Sequence, residues 1–228
     1  MQEKTRGIVI NYIRLRETSI VVNIYTEAFG IRAYIENGIR SAKSKNKIAL
    51  FQPLTLLDLV VFERENKGLK RISEVKCSQP YQSLPYDISK SSISLFLAEV
   101  LKKCLKEEEA NPPLFNFLMY SFSYLDSPHV EYGNFHLIFL IKLSAYLGFS
   151  PETSEQVLLE FQSLNLRPFS TELISQFNQL LKLNYEDNFR INRAQRADLL
   201  DIILSFYKIH IDGFGDIKSH TVLKEVLG

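Results

Sequence analysis

The hydrophobic period of this chain changes once, and the change falls at a pair of prolines, Pro80 and Pro85. Before them, apolar residues recur at every second position in short runs. After them, they recur every three to four positions. A period of 2 puts alternate side chains on opposite faces of a strand, and a period of 3.6 puts them on one stripe of a helix. The chain must therefore be an α+β protein with its strands and helices segregated along the sequence, which predicts two domains.

Five runs in the first third read as strands: GIVINYI (7–13), SIVVNIYT (19–26), IRAYIEN (31–37), LTLLDLVVFE (54–63) and LKRISEVK (69–76). They are β-branched and aromatic, separated by polar or glycine punctuation. With no long helix among them, a small closed or nearly closed barrel is the economical arrangement, because closure removes the exposed edges of a five-stranded sheet. Ile20, Val22 and Ile24 share one side of the second strand, and Ile31, Ala33 and Ile35 one side of the third. These are the expected inner faces. Asn23, Tyr25, Arg32 and Tyr34 are then expected outside.

Beyond Pro85, Ile93, Phe96, Leu97, Val100, Leu101 and Cys104 fall on one helical face, with Asp87 or Ser89 as cap. A second helix is predicted to start at Asn111, with prolines in its first turn, where a missing N–H costs nothing. Helical patterns follow at about 130–148, at 170–183 and at 193–211, and a short one closes the chain. A bundle of five or six helices is expected. The most apolar stretch, Phe135 to Phe149, carries His136 and Lys142 and is too short and too charged to span a bilayer, so it reads as a buried helix and no membrane partner is expected.

Net charge is +1, but unevenly distributed. Residues 1–76 hold 14 Lys plus Arg against 8 Asp plus Glu, and the remainder holds 13 against 18. A basic first domain points to an anionic partner. The start of the chain shows no signal-peptide pattern, and the two cysteines, Cys77 and Cys104, have no C-x-x-C spacing. A reducing cytosol fits, and neither a disulfide framework nor a thiolate zinc site is expected.

Nothing in the polar residues forms a phosphate loop, a metal-spaced histidine pair or a nucleophile elbow. His129, His136, His210 and His220 read as packed or solvated, EEEA (107–110) as a helix end or solvated loop, and Cys104 as a small core residue. No catalytic residue, metal or cofactor is expected. Binding has more to stand on. The segment NGIRSAKSKNK (37–47) strings Arg40, Lys43, Lys45 and Lys47 along polar positions, and four cations so close together face solvent or a polyanion. Beside it, Tyr25, Tyr34 and Arg32 would offer aromatic faces for bases and a charge for phosphate. The bland alternatives are a solvated loop and tyrosines that cover a domain seam. An adaptor whose barrel docks another protein is the competing class. An enzyme with a composite site on the helices would need a polar cluster that the sequence does not offer.

The stretch GIVINYIRLRETSIVVNIYTEAFGIRAYIENGIRSAKS, followed by LFQPLTLLDLVVFE, resembles the start of the RecO family of recombination mediators, with Glu17, Thr18, Thr26, Gly30, Gly38, Arg40, Gln52 and Pro53 at the positions of its pattern. LIKLSAYLGFSPE and the closing YKIHIDGFGDIKSHTVLKEVL are similar to the family's central helix and last segment. The resemblance implies an N-terminal OB-fold (1–80), a helical domain (81–228) and a non-catalytic role in recombinational DNA repair of the RecF type, in the cytoplasm at the nucleoid. It also implies binding to single- and double-stranded DNA, strand annealing, and partnership with RecR, the tail of the single-strand-binding protein and the RecA recombinase.

Taken with the cationic segment, this makes Arg40, Lys43, Lys45 and Lys47 the leading DNA contacts, with Gly38 giving the turn out of the third strand. Arg16, Arg32, Tyr34, Lys70 and Arg71 are further candidates. Lys142, Arg193 and Arg196 are candidates for an acidic, apolar-ended peptide. Many members carry a four-cysteine zinc site after the central helix. Here GFSPETSEQVLLEFQSLNLRPFSTE has no cysteine, so zinc is expected to be absent and Leu158, Phe161 and Phe169 to hold the loop by apolar contact.

Overall fold

The computed structural model describes residues 1–15, 17–39, 47–63, 69–128, 130–163 and 170–227. Five strands, β1 (Gln2–Leu15), β2 (Ser19–Thr26), β3 (Gly30–Glu36), β4 (Leu56–Phe62) and β5 (Lys70–Cys77), close into a barrel of order β1-β2-β3-β5-β4. β1 starts well before the alternating run seen in the sequence. Its first half pairs with β4, from Gln2 opposite Phe62 to Ile8 opposite Leu56, and its second half with β2. The closing seam is the short parallel pairing of β3 with β5, Tyr34 beside Lys70 and Ile35 beside Arg71. Val9, Ile20, Val22, Ile24, Tyr34, Phe51, Leu57 and Val61 fill the interior with no exposed surface. Burying each such side chain contributes about 1.5–3 kcal/mol.

The inner face of β2 is as the sequence predicts. That of β3 is inverted. Ile20, Val22 and Ile24 stand opposite Glu36, Tyr34 and Arg32, and directly paired residues share a face. Tyr34, Arg32 and Glu36 therefore point inward, and Ile31, Ala33 and Ile35 outward. The turn sets this register. Thr26 Oγ1 donates to the Gly30 carbonyl at 2.9 Å and accepts from the Phe29 N–H at 3.1 Å, fixing Thr26 opposite Gly30.

The chain divides into two compact units, Met1–Ser127 and Pro128–Gly228. Two helices belong with the barrel. In α1 (Ile88–Cys104), Asp87 caps the Lys90 N–H at 3.0 Å; in α2 (Pro112–Asp126), Asn111 caps the Leu114 N–H at 3.1 Å, with prolines in the first turn. The three glutamates between them are docked on the barrel, with the Ile31 N–H donating to the Glu107 carbonyl at 3.0 Å. Gly30, at φ +66°, lies so close that a Cβ there would stand 2.4 Å from the carbonyls of Glu107 and Glu109. At the other end of α2, Asp126 accepts the N–H groups of Gln82, Ser83 and Leu84 at 2.8–3.0 Å, and Lys90, 2% exposed, donates to Ser83 Oγ and the Ser127 carbonyl. Burial alone would raise the Asp126 carboxyl, but those N–H groups and the charge of Lys90 outweigh it and hold it below the usual carboxylate range.

The second unit consists of α3 (Phe135–Tyr146), α4 (Ser154–Ser163), α5 (Thr171–Leu180), α6 (Arg193–His210) and α7 (Ser219–Val226). α3 is apolar on nearly every side and is the central helix: seven of its residues from Phe135 to Ile141 are buried. Tyr207 of α6 donates to the Leu140 carbonyl at 2.6 Å. The described residues hold seven helices rather than five or six. α4 is the addition, in the stretch expected as a loop. It buries Phe161 while Leu158 is half-buried, and Glu160 meets His210 at 2.9 Å; Phe169 lies outside the described residues. No helix among the described residues is long and apolar enough to cross a membrane.

Candidate nucleic-acid interface

The cationic segment leaves β3 at the rim of the barrel where β1 turns into β2. There Ser19 Oγ donates to Asn37 Oδ1 at 2.8 Å, and Gly38 follows at φ +70°, where an added Cβ would meet nothing within 4 Å. Arg40, Lys43 and Lys45 lie outside the described residues, as does Arg16. Lys47, at the end of the segment, pairs with Glu36, whose side chain is 9% exposed against 39% for the lysine.

Three of the other candidates serve the barrel itself. Lys70 pairs with Glu63, Arg32 Nε stands 3.9 Å from the same carboxylate, and Tyr34 donates to it at 3.2 Å. Arg32 also meets the Glu108 carboxylate at 3.4 Å and donates to its carbonyl at 2.8 Å. Bringing charges out of water costs several kcal/mol each unless partners and hydrogen bonds offset it, and here they converge beside the short β3–β5 seam. Lys70 and Arg32 are staples of closure. Tyr34 is a correction: with no exposed surface, its ring cannot accept a base, and burial followed by the charge of Glu63 raises its phenol. Tyr25, 2% exposed, packs with its ring tilted against Phe115 of α2, centroids 6.2 Å apart, and burial pushes its phenol up to about 12.

Arg71 is different. It is exposed on the outer face, between Ile35 and Phe62, and has no carboxylate partner among the described residues. Phe62, 37% exposed, is an outward ring that sequence reasoning missed; the parity of β4, with Val61 inside, was the available signal.

A larger cavity, about 530 Å³, lies on the outside of the barrel over β1, β4 and β5. Its walls set Lys4, Arg6 and Lys76 against Glu27, Asp58 and Glu74, and Arg6 is locked on Glu27 at 2.6 Å. That balance does not favour a polyanion.

In the helical unit, Arg193 and Arg196 meet at one cavity of about 130 Å³, with Leu200, Leu223 and Leu227 giving it apolar walls. Lys142 does not line it; its ammonium donates to Asn184 Oδ1 at 2.8 Å. Arg196 is held by Asn134 Oδ1 at 3.0 Å and the Leu227 carbonyl at 3.2 Å. His136, 1% exposed, lies beneath. Burial, then the charges of Arg196 and His220, lowers its imidazole to about 3, so it is neutral at pH 7.

A closed OB-type barrel followed by a helical unit with a cation-edged apolar hole defines a multidomain protein of the OB-fold class. The model of the family "Recombination protein O N terminal" matches residues 1–81, and that of "Recombination protein O C terminal" matches residues 85–219. Proteins named DNA repair protein RecO from Bacteroides fragilis, Phocaeicola vulgatus and Flavobacterium psychrophilum are 38%, 37% and 36% identical to it, each over 99% of both chains. The chain belongs to the RecO family of DNA repair proteins. The zinc site of many members does not fit this chain: the segment after the central helix has no cysteine, and no group of three metal-capable side chains occurs among the described residues.

Proposed function

We propose that this protein is a non-catalytic recombination mediator of the RecF type, acting in the cytoplasm at the nucleoid. It binds single- and double-stranded DNA through the segment carrying Arg40, Lys43, Lys45 and Lys47, with Arg71 and Arg16 as further contacts. The observation that carries this reading is a separation of roles: Arg32, Lys70 and Tyr34 are taken up by the barrel and Lys47 is paired with Glu36, whereas Arg71 is exposed, without a carboxylate partner among the described residues, beside the strand from which the basic segment departs. On β2 and β3 no described ring faces outward uncovered, so contact there is with phosphates rather than bases. A strand held by its phosphates keeps its base edges free, which suits annealing.

The hole between Arg193 and Arg196 fits an acidic peptide with an apolar end, such as the tail of single-strand-binding protein, with docking of RecR and loading of RecA completing the role. The functional division of the chain is taken to fall near residue 80, between an OB-fold of 1–80 and a helical domain of 81–228. The test is anisotropy of labelled single strands and duplexes across a salt series. If about four cations neutralise phosphates on a single strand, log K falls against log salt with a slope of roughly −3. Reversal of Arg40, Lys43, Lys45 and Lys47 to glutamate abolishes that binding; unchanged affinity moves the site elsewhere.

The second reading is a protein-docking adaptor, favoured by Ile13 and Leu69, 57% and 53% exposed on the barrel. Absence of DNA binding at low salt would select it.

A further inference from the structure

Each strand of the barrel gives one outward side chain to a single rung. Ile13 stands opposite Val21, Val21 opposite Ile35, Ile35 beside Arg71, and Arg71 opposite Phe62. The rung crosses all five strands, four steps of about 4.8 Å each. Outward positions flanking it, among them Asn11, Asn23, Ala33, Leu69 and Ser73, are uncharged. Arg71 is thus the lone charge on the rung itself; the nearest others stand one outward step along β4, where Val60 lies between Lys4 and Glu74 at the wall of the cavity. At one end of the rung a half-open ring, Phe62, lies directly across from it, and paired side chains on facing strands have Cβ atoms about 5 Å apart.

We propose that Phe62 and Arg71 form a one-base subsite for single-stranded nucleic acid. A base stacks on Phe62, the adjoining phosphate meets Arg71, and the strand continues along the rung past Ile35, whose strand leads into the cationic segment. The proposal rests on the DNA-binding reading above and adds the point at which a base, rather than a phosphate, is held. The favoured occupant is a single strand because a cation beside a ring, flanked by uncharged positions, supplies the two contacts that every nucleotide can make.

The chain has no tryptophan, so Phe62→Trp places one indole at the subsite. The probes are a thymidine oligonucleotide of about 20 residues, long enough for one OB barrel, and an abasic oligonucleotide of equal length and phosphate count. Binding is followed by anisotropy of labelled oligonucleotides and stacking by indole emission. The expected result is binding of both, with indole quenching by the thymidine strand alone. Phe62→Leu, which keeps apolar bulk without the ring, then weakens thymidine binding about tenfold and leaves abasic binding within about twofold.

Binding without quenching, and equal affinity in Phe62→Leu, overturns the subsite and leaves the cationic-segment reading standing. No binding by the unmodified protein at low salt overturns both. Indole emission that changes with protein concentration alone means that a second copy covers the rung, and this too overturns the subsite.

Discussion

The two compact units house their polar side chains in opposite ways. In the barrel unit carboxylates sit inside networks of donors: Glu63 among Lys70, Arg32 and Tyr34, and Asp126 among three backbone N–H groups with Lys90 alongside, which hold it below the usual carboxylate range. In the helical unit a buried histidine, His136, is kept neutral beside Arg196. A charged network rigidifies what it joins and fails badly when one member is lost, whereas a neutral imidazole is packing that a proton can undo.

The hardest blow to this contrast is Asp126→Ala. It strips the acceptor from three N–H groups and leaves Lys90 buried without its counter-charge, which should cost about 3–5 kcal/mol. Chemical denaturation measures it, and a loss below about 1 kcal/mol would show that the network is not what holds the segment before α1 to the end of α2. Next is a pair of glycines with the same backbone sign. Gly30→Ala drives a Cβ into two carbonyls, whereas Gly148, at φ +83°, has nothing within 4 Å. Gly30→Ala should cost about 3 kcal/mol and Gly148→Ala about 1 kcal/mol, backbone strain alone. Equal costs would mean that the loop of three glutamates yields.

The most gradual effect is that of pH. Unfolded, His136 takes a proton near its ordinary 6.5; folded, only near 3. Unfolding therefore binds a proton in that interval, and stability falls as pH falls, by about 1.4 kcal/mol per unit from this site. Its contribution is complete above 6.5. Asp126 acts with the same sign but only in the lower range where an unfolded carboxyl titrates, since its folded pKa is depressed from 3.8. Hydrogen exchange followed through an acid titration should show the helical unit weakening first. Simultaneous weakening of both units from pH 6.5 would break the comparison.

The switch of period, the caps at Asp87 and Asn111 and the inner face of β2 were legible because each is a local signal. The phase of β3 was not. Its two faces read IxAxI and RxYxE, and hydrophobicity favours the first for the interior. The turn from Thr26 to Gly30 imposes the second, and it is tolerable only because Arg32 finds Glu63 and Glu36 finds Lys47, partners 31 and 11 positions away. The site suffered likewise. Positive charge along the first third was plain to read, but whether a lysine meets a carboxylate or solvent is decided by strand pairing. Arg71 and Lys70 are adjacent in sequence and opposite in role. α4 escaped because its apolar residues form no long stripe: Val157 and Phe161 are buried, while Leu159 is 67% exposed.

The divided pairing of β1 also has a consequence in time. Its second half can pair as soon as β2 exists, but Gln2 waits for Phe62, 60 residues later. At a synthesis rate of about 5–20 residues per second, the first half stands as an open edge for roughly 3–12 seconds. Glu3, Lys4 and Arg6, with Thr5 the one β-branched residue among them, make a poor template for another chain's strand. The charges that hide the start of β1 from a hydrophobic pattern also guard it until its partner emerges.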